Sequence, residues 1–283
     1  MTDRVSFPPF VRVGELDGLP GRTVLADVRW YLDGRSGRAA YESGHLPGAV
    51  FVDLDRWLTG PATPEGGRNP LPSPQVFTEG MRTLGIRDGD TVVAYDDQGG
   101  VIAARLVWML RTTGRRAAVL DGGLAAYLDV HPDSLTVAEP APAEGDFAEH
   151  PWPAQVLVDA DEVTGPDAVT IDARNRDRFI GEQDPVDPRP GHVPGAGNVP
   201  CRENLDSRGR LLPLQQIRDR FAAAGVDRGT AARVASYCGS GVTACHNLLT
   251  MEHTGLGIGR LFVGGWSAYS RDPSRPVETG PAR

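Results

Sequence analysis

Two hydrophobic rhythms alternate along the chain. Short runs of small and β-branched apolar residues, Thr23–Asp27 (TVLAD), Thr91–Tyr95 (TVVAY), the start of Val169–Arg174 (VTIDAR) and Val234–Cys238 (VASYC), read as buried strands. Between them, Gln75–Leu84 and Val101–Arg111 carry apolar residues at helical spacing, and Gly85 stands where a C-cap belongs. A polar helix is expected over about residues 35–43, then a turn and strand in GHLPGAVFVD, and AAVLDGG followed by a short helix to Leu128. Strands alternating with helices predict an α/β fold with a mostly parallel sheet covered by helices on both faces.

The same order then recurs. VTIDAR mirrors VLADVR, GHVPGAGNVP mirrors GHLPGAVFVD, RVASYCGSGV mirrors VVAYDDQGGV, and VGGWSAY mirrors DGGLAAY. Asp172 follows Asp27 by 145 positions, His192 follows His45 by 147, Gly241 follows Gly100 by 141 and Tyr269 follows Tyr127 by 142. Offsets this steady imply duplication of one domain. Residues 1–130 are expected to form the first copy and 154–283 the second. Residues 131–153, with prolines at 132, 140, 142, 151 and 153, read as an extended linker. The tail from Asp272 is Pro-rich and polar and is expected to pack little.

Cys238 ends a strand and meets Gly239, Ser240 and Gly241, before VTACHNLLTMEH turns helical. A glycine turn at a helix N-terminus presents backbone N–H groups to an anion. A thiol there is expected to be a thiolate at neutral pH, ready to attack. Aligning Gly100 with Gly241 sets Asp97 opposite Cys238, and a carboxylate cannot accept sulfur, so the first copy is expected to be inactive.

Composition narrows the chemistry. The 283 residues carry a net charge of -8, which argues against nucleic acid as a partner. No apolar run approaches a membrane span of roughly 20 residues, and Met1–Phe10 lacks a signal-peptide core. Three cysteines suggest reduced thiols and a cytoplasmic setting. All 29 basic residues are Arg, so Schiff-base chemistry, pyridoxal phosphate and a Walker A loop are excluded. No metal is expected, because no CxxC or HxxxH spacing occurs around Cys245, His246 and His253.

CGSGVTA, together with the duplication, resembles the active-site loop of the rhodanese superfamily, and within it the mercaptopyruvate sulfurtransferases. The resemblance covers nearly the whole chain and implies that Cys238 becomes a persulfide and passes its outer sulfur on. It implies a small-molecule donor, mercaptopyruvate or alternatively thiosulfate, and a thiol acceptor such as thioredoxin, or cyanide in an assay. No cofactor is implied. Gly239, Gly241, Val242 and Thr243 would line the substrate site, and Ser240 would assist proton transfer. Thiosulfate enzymes carry cations where this chain has Gly239 and Ser240, which favours mercaptopyruvate. Arg178, in RFIG, matches the family's substrate-carboxylate arginine. A second family arginine is replaced here by Pro185, and Arg189 is the nearby candidate to stand in for it. His45 would reach the active site from the first copy, whereas His192 and Cys201 read as structural, and Cys245 as a small buried helix residue.

Other chemistries use similar loops. Cysteine phosphatases require Arg six residues after the Cys, where this chain has Ala244. A non-enzymatic sulfur carrier needs the same thiolate, and turnover of a donor separates it from an enzyme.

Overall fold

The computed structural model describes residues 7–182 and 184–282. The chain forms two compact units. The first comprises Met1–Gly60, Pro72–Trp152 and Asp206–Leu211; the second comprises Pro61–Leu71, Pro153–Leu205 and Leu212–Arg283. Two short segments, 61–71 and 206–211, thus pack in the unit to which sequence order does not assign them.

In the first unit, strands β1 (Phe10–Val11), β2 (Thr23–Asp27), β3 (Val50–Phe51), β4 (Thr91–Tyr95) and β5 (Arg116–Leu120) form one sheet of order β1-β5-β4-β2-β3. Helices α1 (Gly37–Ser43), α2 (Pro74–Thr83), α3 (Ala104–Thr112) and α4 (Gly123–Val130) accompany it. The second unit repeats the order with β6 (Leu157–Val158), β7 (Val169–Asp172), β8 (Gly197–Asn198), β9 (Val234–Tyr237) and β10 (Arg260–Phe262), arranged β6-β10-β9-β7-β8. Its helices are α5 (Arg176–Ile180), α6 (Leu214–Ala223), α7 (Ala244–His253) and α8 (Gly265–Tyr269). Every ladder is parallel. Central β4 and β9 are buried along their whole length, which is why they read as continuous apolar runs.

The repeated motifs are internal braces. Asp27 grips Arg29, which also donates to the Gly44 carbonyl at 2.8 Å; Asp172 grips Arg174, which donates to the Gly191 carbonyl at 2.7 Å. The hydroxyl of Tyr95 accepts the Leu46 N–H, and that of Tyr237 accepts the Val193 N–H, both at 3.1 Å. Each GH motif is thereby fixed to the end of a central strand. In the second unit Phe179, Tyr237, Trp266 and Tyr269 share one buried core with Val193 and Phe262, each large side chain contributing about 1.5–3 kcal/mol by burial.

The Pro-rich stretch 131–152 packs on the first unit. Phe147 is buried against Phe77, Arg115 lies 4.2 Å above its ring, and Thr136 pairs with the backbone of His45. The C-terminal tail also packs, against the expectation from its composition. Glu278 pairs with the backbone of His192, Gly280 donates to the Ile180 carbonyl, and Tyr269 donates to the Pro276 carbonyl. Backbone pairing, which composition does not report, holds it.

Candidate active site

Cys238 directly follows β9, at the carboxyl end of the sheet where parallel α/β folds place their ligand sites. It is nearly covered, as is Ser240. The loop is held from the start of α8. Trp266 donates to the Cys238 carbonyl and Ser267 to that of Gly239, both at 2.8 Å. Gly265, at φ +56°, permits this approach, since a Cβ there would lie 2.7 Å from the Cys238 carbonyl oxygen. At Gly241, φ is +74° and a Cβ would meet the Val263 carbonyl at 2.5 Å. The chain then enters α7 at Ala244.

The first unit shows what has replaced this cysteine. Tyr95 and Tyr237 hold the same register against Asp27 and Asp172. Leu124 donates to the Asp96 carbonyl as Trp266 does to that of Cys238, and Gly123 has φ +54° as Gly265 has +56°. The counterpart of Cys238 is therefore Asp96; aligning on Gly100 displaced the match by one residue to Asp97, whose carboxylate instead accepts the Tyr31 hydroxyl at 2.6 Å. The buried Asp96 carboxylate accepts N–H groups from Gln98, Gly100, Ile102 and Ala103 at 2.7–2.9 Å. Burial raises the Asp96 carboxyl above its usual range against the pull of these amides. The route from Asp96 to the start of α3 at Ala104 is two residues longer than that from Cys238 to Ala244, and four amides in it close on the carboxylate.

Beside Cys238 runs an alternating chain of buried charge. Asp172 pairs with Arg174 at 2.7 Å, Arg174 with Asp184 at 3.1 Å, Asp184 with Arg178 at 2.9 Å and Arg178 with Asp187 at 2.8 Å; Asp187 then pairs with Arg68. Burial is the chief influence on Asp187 and raises its carboxyl, which Arg68 and Arg178 oppose. The chain ends over the loop: a Cβ built on Gly239 would lie 2.9 Å from Arg68 Nη2 and 3.5 Å from Arg178 Nη1. The loop residues carry no cation, yet two guanidinium groups reach it from elsewhere in the sequence.

Arg178 thus lies next to Gly239. Arg189 does not replace the second arginine. Its guanidinium donates to the carbonyls of Tyr269, Ser270, Asp272 and Arg275, closing the C-terminal end of α8. The expectation of proton transfer by His45 also fails. Its ring is fully buried, stacked on Tyr41 at 3.7 Å, with Nδ1 2.9 Å from the Tyr41 carbonyl and Nε2 3.3 Å from that of Ala138. His192 is its structural double, stacked on Phe179 at 3.7 Å with Nδ1 2.8 Å from the Phe179 carbonyl. Cys245 is buried with its thiol donating to the Gly241 carbonyl, and burial pushes the Cys201 thiol up to about 11. Arg68, Asp184 and Asp187 were missed. Arg68 lies 170 positions before Cys238, and no spacing in the sequence ties Asp184 or Asp187 of DPVDP to it.

The rhodanese-like domain family matches residues 15–129 and 157–272. A probable 3-mercaptopyruvate sulfurtransferase of Pseudomonas aeruginosa is 42% identical over 266 residues, covering 91% of this chain and 92% of that protein. The human 3-mercaptopyruvate sulfurtransferase is 35% identical over 253 residues, 86% of this chain and 83% of that one. A putative thiosulfate sulfurtransferase of Mycobacterium tuberculosis is 38% identical over 263 residues, 91% of each. Among solved structures, the 3-mercaptopyruvate sulfurtransferase from Leishmania major superposes with a TM-score of 0.83 at 30% identity, covering 93% of this chain and 74% of that one.

Proposed function

The chain belongs to the rhodanese family and is a sulfurtransferase, and we propose that it takes sulfur from mercaptopyruvate on Cys238 and hands it to a thiol. The Cys238 thiolate attacks the donor's thiol sulfur. The bond from sulfur to carbon 3 breaks, its electron pair stays on carbon as the enolate of pyruvate, and the new S–S bond leaves Cys238 as a persulfide. Ser240 gives the enolate its proton and is reprotonated from solvent, while the amides of Gly239, Gly241, Val242 and Thr243 face the charge on sulfur. A thiolate acceptor then attacks the outer sulfur and restores the Cys238 thiolate. Thioredoxin has the chemistry this second step needs, and three free cysteines fit a reducing cytoplasm. Among the described residues, no helix is long and apolar enough to cross a membrane.

The observation that carries the donor choice is the guanidinium of Arg178 beside Gly239, with its charge already matched by Asp184 and Asp187. Arg68, Arg174 and Arg178 face Asp172, Asp184 and Asp187 one for one. A planar monocarboxylate fits a guanidinium edge, whereas a compact dianion meets no surplus of positive charge. Steady-state kinetics with both donors on one preparation tests this. We expect kcat/KM to be higher for mercaptopyruvate by at least about tenfold, roughly 1.4 kcal/mol. Equal or greater efficiency with thiosulfate would assign the chain to the thiosulfate reaction instead.

A further inference from the structure

We propose that Arg68 is a donor-binding residue, and that the strap carrying it, 61–71, is part of the active site. The inference rests on Cys238 being the sulfur-accepting thiol but not on which donor supplies the sulfur.

The strap belongs to the second unit, although it leaves the chain between elements of the first. Thr63 and Gly67 exchange backbone hydrogen bonds at 3.2 and 2.9 Å, and Gly66 donates to the Thr63 hydroxyl at 2.8 Å, closing a tight turn. Gly67, at φ +74°, presses on α8, where a Cβ would come 2.4 Å from the Gly264 carbonyl oxygen. Only a glycine permits that approach. The Arg68 N–H then donates to the Ser267 hydroxyl at 3.1 Å, and the Ser267 N–H donates to the Gly239 carbonyl at 2.8 Å. One residue of α8 therefore holds both the strap and the neighbour of the nucleophile.

The side chain completes the argument. One carboxylate, Asp187, receives both Arg68 Nη1 and Arg178 Nη2, so the two guanidinium groups are tied at one edge. A Cβ on Gly239 would lie 2.9 Å from Arg68 Nη2 and 3.5 Å from Arg178 Nη1, so both guanidinium groups edge the residue that follows Cys238. Asp187 is buried while Arg68 is 27% exposed, so the aspartate fixes the fork and solvent reaches only the arginine. Two convergent guanidinium groups offer an anion a bidentate grip that one cannot. A merely neutralising role for Arg68 would be satisfied by any cation at that point.

The test uses Arg68→Ala and Arg68→Lys in the full chain, with two readouts. The first is the split between KM and kcat with the better donor. We expect Arg68→Ala to raise KM about tenfold with kcat within about threefold, and Arg68→Lys, which keeps the charge but loses the fork, to recover only part of the loss. The second is alkylation of Cys238 by iodoacetate, an anion, against iodoacetamide, its neutral counterpart. The ratio of the two rates is expected to fall about tenfold in Arg68→Ala with little change in the iodoacetamide rate. An unchanged KM and an unchanged alkylation ratio in the folded variants would overturn the proposal. Full rescue by Arg68→Lys would do the same, because it would reduce Arg68 to a counter-charge for Asp187. A preference for thiosulfate by the unaltered protein would sink the mercaptopyruvate reading alone, since the alkylation ratio does not depend on the donor. Should Arg68→Ala not fold, Arg68→Gln keeps a hydrogen-bond donor for Asp187 and carries the same measurements.

Discussion

Three cysteines sit in the second unit, all buried, and their surroundings differ sharply. Cys201 has no exposed surface, and burial pushes its thiol up to about 11, so at pH 8 only about one in a thousand is thiolate. Cys245 is closed off in the first turn of α7, with its thiol on the Gly241 carbonyl. Cys238 is the one that opens a glycine turn, with two arginines beside the next residue, Gly239. Intact-mass spectrometry after donor treatment should therefore show a single added sulfur, absent from Cys238→Ser. Alkylation at pH 8 should likewise modify one residue, with labelling of Cys201 rising only as pH climbs towards 11. Sulfur retained by Cys238→Ser would move the site to one of the other two thiols. Cys238 and Arg178 stand out as candidates in the sequence because each lies in a local motif, CGSG and RFIG. Arg68 and Asp187 were not, because their meaning comes from a meeting of distant segments that leaves no spacing to read. His45 and Arg189 misled for the converse reason. Their backbone-carbonyl partners are set by tertiary packing, and a ring or guanidinium so engaged looks the same in sequence as a free one.

At the scale of elements, the active-site loop depends on one backbone approach that only glycine allows. Gly265 opens α8 at φ +56° against the Cys238 carbonyl, and Gly123 opens α4 at φ +54° against that of Asp96. Alanine at either position forces a strained left-handed residue and a close contact, costing about 1–3 kcal/mol. The paired substitutions separate stability from function. Gly265→Ala should lower both the melting temperature and kcat, because the nucleophile's loop moves; Gly123→Ala should lower the melting temperature and leave kcat near that of the parent. Equal loss of activity in both would show that general destabilisation, not loop position, governs turnover. The central strands were readable from pattern: β2 and β4 occupy the expected residues, and β9 stops one residue short of Cys238. The edge strands β1 and β6 were not, since two residues carry no periodicity and exist only through pairing with β5 and β10. The packed tail and the Pro-rich stretch escaped for a related reason: their hydrogen bonds are made by backbone atoms that every residue shares.

Across the whole molecule, duplication was the most legible feature, because each repeated motif is a brace that both copies need: the Asp–Arg pair, the strand-end tyrosine and the stacked histidine. What differs is the end of the central strand and the loop after it: Cys238 in one copy, and in the other the Asp96 carboxylate with its four amide donors in a loop two residues longer. Counting bonds from Cβ, a carboxylate oxygen stands as far out as the outer sulfur of a persulfide. On the proposed chemistry, the first copy therefore holds a permanent portrait of the second in mid-cycle. It also suggests a reagent. Cys238→Asp would freeze the enzyme in the likeness of its sulfur-laden form, inert yet offering an acceptor the surface it recognises. Such a variant should melt at least about 2 °C above Cys238→Ser, as an anion gains from the start of α7 what a hydroxyl does not. Immobilised, it should retain the natural acceptor where Cys238→Ser releases it; equal melting and equal retention would mean that the likeness ends at bond counting.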